Sequence, residues 1–318
     1  MLNGKKFDKI LFLIASTIIF YVALLIISDI NLIFEKLTQI KLEYLLVVFG
    51  LMAAQLIFLG IKYHRLLRKL DIHISLKDSI LIFISGLTLI ATPGGIGTAI
   101  KSQILKKKFD QPFGKTLPVI FIERYTELFA ILIILTFLLI WNQMYESIIV
   151  VIIGYCFLIT MYAVSSNTNI FTFLKKLFLK IKKFEKFITS FDTSRDSFSK
   201  LFEFKTLGES VFWSIIAKIS QLLAVYFIFQ SLGINLDLIL SGQIYYTSLV
   251  LGALTFLPSG LIITESSMFG LLLNYGVDFS LASLSVIFIR LVTTWLGTLV
   301  GIITIKFTGI RNYKNSNN

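Results

Sequence analysis

The chain alternates long apolar runs with short polar and basic segments. Six of the runs are long, and they lie near residues 9–29, 43–61, 118–140, 147–165, 208–231 and 281–305. Because about 20 apolar residues cross the hydrocarbon of a bilayer, each run is predicted to be a spanning helix. Two further apolar segments, 78–108 and 238–275, are interrupted by Pro-Gly turns. The pattern is typical of an all-α polytopic membrane protein.

The connections between the apolar runs differ sharply in their charge. Lys and Arg are frequent in 61–78 and 166–207, whereas the connections after 140, 231 and 274 contain none. Basic residues concentrate on the cytoplasmic side of membrane proteins, so both basic segments and both termini are predicted to be cytoplasmic. Residues 29–43 carry balanced charge and are placed as an outer loop. On this topology 78–108 and 238–275 each begin and end on one side, which makes each a hairpin, either re-entrant or a pair of short crossings.

Composition agrees with a membrane protein and narrows the chemistry. The chain is 56% hydrophobic, and its mean hydropathy is +0.85. Its net charge of +12 is explained by the positive-inside bias and by attraction to anionic lipids. Since no recognition module accompanies the charge, nucleic acid is not expected as a partner. The lone Cys156 and the two histidines, His64 and His73, form no ligand pattern, so no metal or cofactor is expected.

The two interrupted segments resemble each other. The first turn contains Pro93, Gly94, Gly95 and Gly97, and the second contains Pro258 and Gly260. An arginine lies in an apolar helix 31 residues after the first proline, and another lies 32 residues after the second. The halves, about 76–140 and 236–305, are therefore predicted to be copies of one unit. Three crossings separate the hairpins, which predicts an inverted repeat of the kind found in transporters.

Broken helices inside a membrane indicate a buried or water-filled cavity, because freed backbone groups need partners. A half-helix that starts after each turn would present its N-terminal amides to an anion such as a phosphate. Arg290 lies nine residues past Leu281, about 14 Å along the helix axis, and Glu265 is its expected partner. The alternative interpretation is that the glycines only permit close helix packing.

The sequence from Glu123 to Glu127 suggests a second charged position. Glu123 and Glu127 are four residues apart and share a helix face, and Arg124 is expected to pair with Glu127. Arg124 lies near the inner boundary of the membrane, where a snorkelling side chain is an alternative to a binding role.

Basic and apolar residues alternate at helical spacing from Phe171 to Phe191. This pattern predicts an amphipathic cytoplasmic helix, about 170–191, that binds anionic lipids of the inner leaflet; a solvated helix packed on a partner is the alternative. Residues 312–318 are polar and predicted to be disordered. The remainder, 1–311, is predicted to be one transmembrane domain.

The run from Pro93 to Leu105, the sequence Glu123-Arg124-Tyr125-Thr126-Glu127, and the later Pro258, Gly260, Glu265 and Arg290 carry a family resemblance. They resemble the paired signatures of the lysylphosphatidylglycerol synthase transmembrane region, a flippase-like family. The chain departs from that pattern at five positions. The family usually has Glu at the position of Thr98, Arg at that of Lys101 and Gly at those of Ser259 and Ile262, and it often has a basic residue at that of Thr264.

The resemblance implies a flippase-like protein of the cell membrane that moves an anionic, aminoacylated or glycosylated lipid between leaflets. The expected ligand is a phospholipid or a lipid-linked sugar. The longest soluble segment, about 40 residues, is too short for a soluble synthase domain, so a standalone, non-enzymatic form is expected. The candidate headgroup-binding residues are Pro93, Gly94, Gly95, Gly97, Lys101, Glu123, Arg124, Glu127, Pro258, Gly260, Glu265 and Arg290.

Two other functions remain compatible with the sequence. One is an accessory membrane subunit of a glycosyltransferase or envelope-lipid machine, docked through the amphipathic segment. The other is a membrane-embedded lipid-modifying transferase in which Glu123, Glu127 or Glu265 serves as a base, although no nucleophile and base constellation accompanies them.

Overall fold

A computed structural model of the chain describes residues 19, 21–89, 98–142, 147–166, 194–255 and 257–308, without the side chains of 142, 164–166 and 258. Most of the 9–29 run, the first Pro-Gly turn, the amphipathic segment 170–191 and the tail 312–318 lie outside the described residues. The predictions made for those parts stay predictions.

The described residues are predominantly helical. In chain order the helices are α1 Ile30–Gln39, α2 Leu42–Lys69, α3 Leu76–Gly86, α4 Ile100–Phe109, α5 Phe113–Asn142, α6 Ile148–Ser166, α7 Phe204–Ser231, α8 Leu238–Leu254, α9 Ile263–Asn274, α10 Phe279–Arg290 and α11 Leu296–Phe307. A π-helical turn, Leu291–Trp295, joins α10 to α11 without a break. Residues 21–27 and 194–201 are also helical.

Four of the described helices are long and apolar enough to cross a membrane. They are α2, α5, α7 and the continuous helix formed by α10 and α11. α6 and α8 contain shorter apolar helices. The runs predicted from residue 43 onward to be spanning helices therefore each coincide with an apolar helix.

Two connections differ from the prediction. Residues 29–43 are not simply a loop, because α1 lies within them; Asp29 caps it by accepting hydrogen bonds from the backbone N–H groups of Asn31 and Leu32. The basic segment after residue 61 is not a loop either, since α2 continues to Lys69. Its helical period continues through the basic residues, and Tyr63, Leu66 and Leu67 are buried.

The arms of both interrupted segments are short helices. In the first segment α3 has 11 residues and α4 has 10, which is about 15–17 Å of helix each. In the second, α8 has 17 residues and α9 has 12. Each arm is shorter than the ~30 Å of a bilayer core.

Close backbone contacts fix the arms of the two segments in place. A Cβ added to Gly301 of α11 would lie 2.6 Å from the backbone nitrogen of Thr88, so the last helix lies directly on the first segment. In the second segment a Cβ added to Gly260 would lie 2.9 Å from the Cα of Gly252. Small residues at both places let the helices approach closely, as is common in membranes.

Candidate functional site

A cavity of about 540 Å³ lies between the spanning helices and both interrupted segments. Its wall includes residues of α2, α3, α5, α7, α8, α9 and the continuous helix α10–α11. Most of the lining is apolar. The polar and charged residues that line it are Gln55, Arg124, Glu127, Lys218, Gln221, Tyr245, Ser259, Thr264, Arg290, Thr293 and Thr294.

Arg290 lies at the end of α10 and forms the predicted ion pair with Glu265. Its Nε donates to Oε1 of Glu265 at 2.7 Å, and the two side chains are 3% and 0% exposed. An Nη2 hydrogen bond at 2.9 Å to the carbonyl oxygen of Ser259 ties the same arginine to the Pro-Gly turn. Glu265 also accepts from the hydroxyl of Tyr21 at 3.2 Å. Arg290 faces the cavity, whereas Glu265 supports it from behind.

The turn before α9 has a strained backbone. Ser259 and Ile262 have φ values of 50° and 72°, and Gly260 has 64°. Residues other than glycine rarely adopt positive φ, and a β-branched residue does so at a real cost. The two strained residues stand where the resembled family usually has glycine. The departure thus falls on positions at which the fold requires a left-handed backbone.

Glu127 on α5 lies at the centre of a second charged cluster. Its Oε1 accepts from Nζ of Lys62 at 3.3 Å, and its Oε2 lies 3.4 Å from Nη1 of Arg124 and 3.6 Å from Nζ of Lys218. The predicted pairing of Arg124 with Glu127 is therefore confirmed. One carboxylate faces three cations contributed by three helices.

Lys62 is the residue of this cluster that sequence reasoning missed. Its side chain is 0% exposed and donates to the hydroxyl of Ser214 at 3.1 Å and to the carbonyl oxygen of Glu123 at 3.3 Å. The charge pattern of the sequence predicts a basic cytoplasmic loop for this position, because Lys62 precedes Arg65 and Arg68. The signal that identifies it is its place on the face that also carries Leu59, Tyr63 and Leu66, all buried.

Lys101 and Glu123 form a separate buried pair. Nζ of Lys101 lies 2.5 Å from Oε2 of Glu123, with side chains 2% and 0% exposed. The ammonium also lies 4.9 Å from the ring centroid of Tyr63 and 5.2 Å from that of Phe83, which adds cation–π attraction. Gly86 leaves room for the lysine stem, since a Cβ there would lie 2.7 Å from it. This pair joins α4 to α5 and does not line the cavity.

The candidate residues thus separate into three groups. Arg124, Glu127, Gly260 and Arg290 line the cavity. Lys101, Glu123 and Glu265 are buried behind its wall. Pro93, Gly94, Gly95 and Gly97 lie outside the described residues, as does the side chain of Pro258.

Other polar residues of α7 and α8 divide in the same way. Lys218, Gln221 and Tyr245 line the cavity. Tyr246 instead donates to the carbonyl oxygen of Lys218 on α7, and Gln243 donates to that of Leu138 on α5. Both side chains therefore hold α8 to its neighbouring helices. Within the described ranges no group of three or more His, Cys, Asp and Glu residues could hold a metal ion.

Comparison with known proteins places this architecture in a family. A UPF0104 membrane protein of Methanocaldococcus jannaschii is 28% identical over 213 residues, covering 66% of this chain and 89% of the relative. A UPF0104 membrane protein of Pyrococcus horikoshii is 24% identical over 243 residues, covering 69% and 72%. Residues 12–301 match the family described as the lysylphosphatidylglycerol synthase TM region. The chain is therefore an integral membrane protein that belongs to the lysylphosphatidylglycerol synthase transmembrane-region family.

Proposed function

We propose that the protein moves a lipid with an anionic headgroup between the leaflets of the cell membrane. The observation that carries the proposal is that Arg124 and Arg290, one from each half of the chain, line the same cavity. A cavity between spanning helices can hold a polar headgroup while the acyl chains stay in the bilayer. Arginine at the centre of a membrane helix costs about 2.5–3.5 kcal/mol on insertion scales, so the deeply placed Arg290 at this cavity favours a functional role.

The path we propose follows from the repeated hairpins. Six spanning helices and two re-entrant hairpins, entering from opposite faces, form an inverted repeat with both termini in the cytoplasm. Alternating opening of the two halves then exposes the cavity to one leaflet at a time. The short arms α3, α4 and α9 support re-entrant geometry, since none is long enough to cross the bilayer core.

The surroundings of the turn before α9 favour an anion over a neutral group. Ser259, Gly260 and Thr264, at the start of α9, line the cavity beside Arg290. The residue before α9, Ile262, provides no side-chain cap. The first N–H groups and the positive end of the helix therefore add to the arginine, as at other helix N-termini that bind phosphate.

The test is reconstitution of the purified chain into vesicles that contain a trace of fluorescent phospholipid. Dithionite quenches the label in the outer leaflet, so lipid movement raises the quenchable fraction above one half. We expect movement of anionic lipids with the unmodified protein and a loss of most of it with Arg290→Lys. Lysine keeps the charge but lacks the two separately placed donors, Nε and Nη2, with which Arg290 bonds Glu265 and Ser259. Arg65→Leu is the matched control, because Arg65 is 57% exposed in its pair with Glu209.

Failure to move any lipid across a panel of native headgroups would reject the proposal. Co-purification of a soluble glycosyltransferase with a chain that moves no lipid would favour the accessory function instead. Chemical modification of a lipid by the purified protein, abolished by Glu127→Gln or Glu265→Gln, would favour the transferase.

A further inference from the structure

The buried charges around the cavity are not balanced. Two of the ion pairs are neutral units: Lys101 with Glu123, and Arg290 with Glu265. The carboxylate of Glu127 alone faces Lys62, Arg124 and Lys218, at 3.3, 3.4 and 3.6 Å. Among the described side chains of this cluster, one negative charge therefore meets three positive charges, which leaves an excess of two.

The excess positive charge faces the cavity. Lys62 is fully enclosed and uses its ammonium on Glu127, Ser214 and the backbone of Glu123. Arg124 and Lys218 line the cavity. Nε of Arg124 is buried without a hydrogen-bond partner in the described part of the chain. These two side chains are thus the unbalanced cations, and both belong to the wall of the cavity.

Like charges away from water repel strongly and need a counter-charge nearby. A bound group that carries two negative charges would balance this cluster, whereas a group with one negative charge would leave one positive charge uncompensated. A phosphate monoester has about −1.5 to −2 charges at pH 7 and three strong acceptor oxygens. A phosphate diester carries one charge, and a lysyl ester of phosphatidylglycerol is net positive, which would add to the repulsion.

We infer that the cavity binds a phosphate monoester, preferring it to a phosphate diester and to a cationic aminoacylated headgroup. Arg124 and Lys218 hold the phosphate oxygens. The apolar part of the lining, which includes Met52, Leu56 and Leu249, accommodates the glycerol and the first methylene groups. The assignment of this monoester to a lipid rests on the proposed function, since a soluble phosphate has the same chemistry.

The test measures binding to the purified full-length chain in detergent. Dioctanoyl phosphatidate and dioctanoyl phosphatidylmethanol differ by one methyl group, which removes one ionisable oxygen. We expect phosphatidate to bind with a dissociation constant about tenfold lower, as charge-assisted hydrogen bonds predict. The preference should fall to about twofold in Lys218→Met and in Arg124→Gln, and should persist in Lys218→Arg. Lys200→Met is the control, since Lys200 pairs with Asp71 on the surface.

Equal affinity of the unmodified chain for the two lipids would overturn the inference, whether or not the variants fold. Glycerol 3-phosphate should bind more weakly than phosphatidate, because it lacks the acyl chains; equal affinity would assign the site to a soluble phosphate and not to a lipid. The transport assay is independent of these results. If phosphatidate binds preferentially but neither it nor any other lipid of the panel moves faster than in protein-free vesicles, the proposed flippase function fails while the binding site stands.

Discussion

Nε of Arg290 lies 2.7 Å from Oε1 of Glu265, and this pair connects α10 to the first turn of α9. The same guanidinium reaches the carbonyl oxygen of Ser259. One side chain therefore ties together a helix, a half-helix and the turn that interrupts the second segment. Any opening of the cavity on this side must move the three as a unit or break these hydrogen bonds.

Removal of only one member of this pair should destabilise the protein more than removal of both. Arg290→Leu leaves a buried carboxylate without a counter-charge, for which we expect a loss of about 3–5 kcal/mol in the free energy of unfolding. The double variant Arg290→Leu with Glu265→Leu has no buried charge left at this place and should lose less. Unfolding in detergent micelles, followed by circular dichroism, measures both. A double variant that loses as much as the single variants Arg290→Leu and Glu265→Leu lose together would show that the pair is not coupled.

The existence of this pair could be predicted from the sequence because the constraint is local and strong. Arg290 lies deep in an apolar run, and Glu265 is the acidic residue of the second interrupted segment. Burial of an unpaired arginine is expensive enough that few arrangements are possible. The spanning helices α5 and α7 could also be predicted, because the length of an apolar run is enough to identify a helix that crosses the bilayer.

The cluster around Glu127 could not be predicted as a whole because it is built from three helices. Lys62, Glu127 and Lys218 are 65 and 91 residues apart in sequence, and charge counts alone assign Lys62 to a loop. Only packing of α2 against α7 and α5 brings them together. The cavity itself is likewise a product of this packing.

Glu127 should be much more important for stability than Glu209, an acidic residue of the spanning helix α7 that is partly exposed. Glu127→Gln removes the carboxylate shared by Lys62, Arg124 and Lys218, so three cations would repel one another in a buried place. We expect a loss of about 3–5 kcal/mol. The same substitution at Glu209, whose side chain is 32% exposed beside Arg65, should change stability by less than about 1 kcal/mol. The free energy of unfolding of both variants is measured in the same detergent. Similar losses of this free energy would contradict the central position of Glu127.

Relief of backbone strain at the second turn should stabilise the fold. Ser259 has a φ of 50°, which a glycine adopts without the steric penalty of a Cβ atom. We expect Ser259→Gly to raise the free energy of unfolding by about 0.5–1 kcal/mol, after allowance for the greater freedom of glycine in the unfolded chain.

Ser266→Gly is the matched control for that substitution. Ser266 is exposed inside helix α9, where glycine is an unfavourable residue and should cost about 0.5 kcal/mol. The same chemical change is thus expected to have opposite signs at positions seven residues apart. Destabilisation by both substitutions would show that the positive φ of Ser259 carries no cost. The hydrogen bond from Arg290 to this residue uses its backbone carbonyl, so it survives the substitution.

Gly260 should tolerate no side chain, in contrast to Gly270 in the adjoining helix. A Cβ at Gly260 would lie 2.9 Å from the Cα of Gly252 and 2.6 Å from Oγ1 of Thr264, and the residue has a φ of +64°. Because the obstacle includes backbone, Gly260→Ala must separate α8 from the turn, and we expect a loss of at least about 2 kcal/mol. A Cβ at Gly270 meets nothing within 4 Å, so Gly270→Ala should gain about 0.5–1 kcal/mol from helix propensity. Thermal unfolding of the two variants in one detergent measures this contrast, and a stable Gly260→Ala protein would mean that α8 and the turn are not in contact.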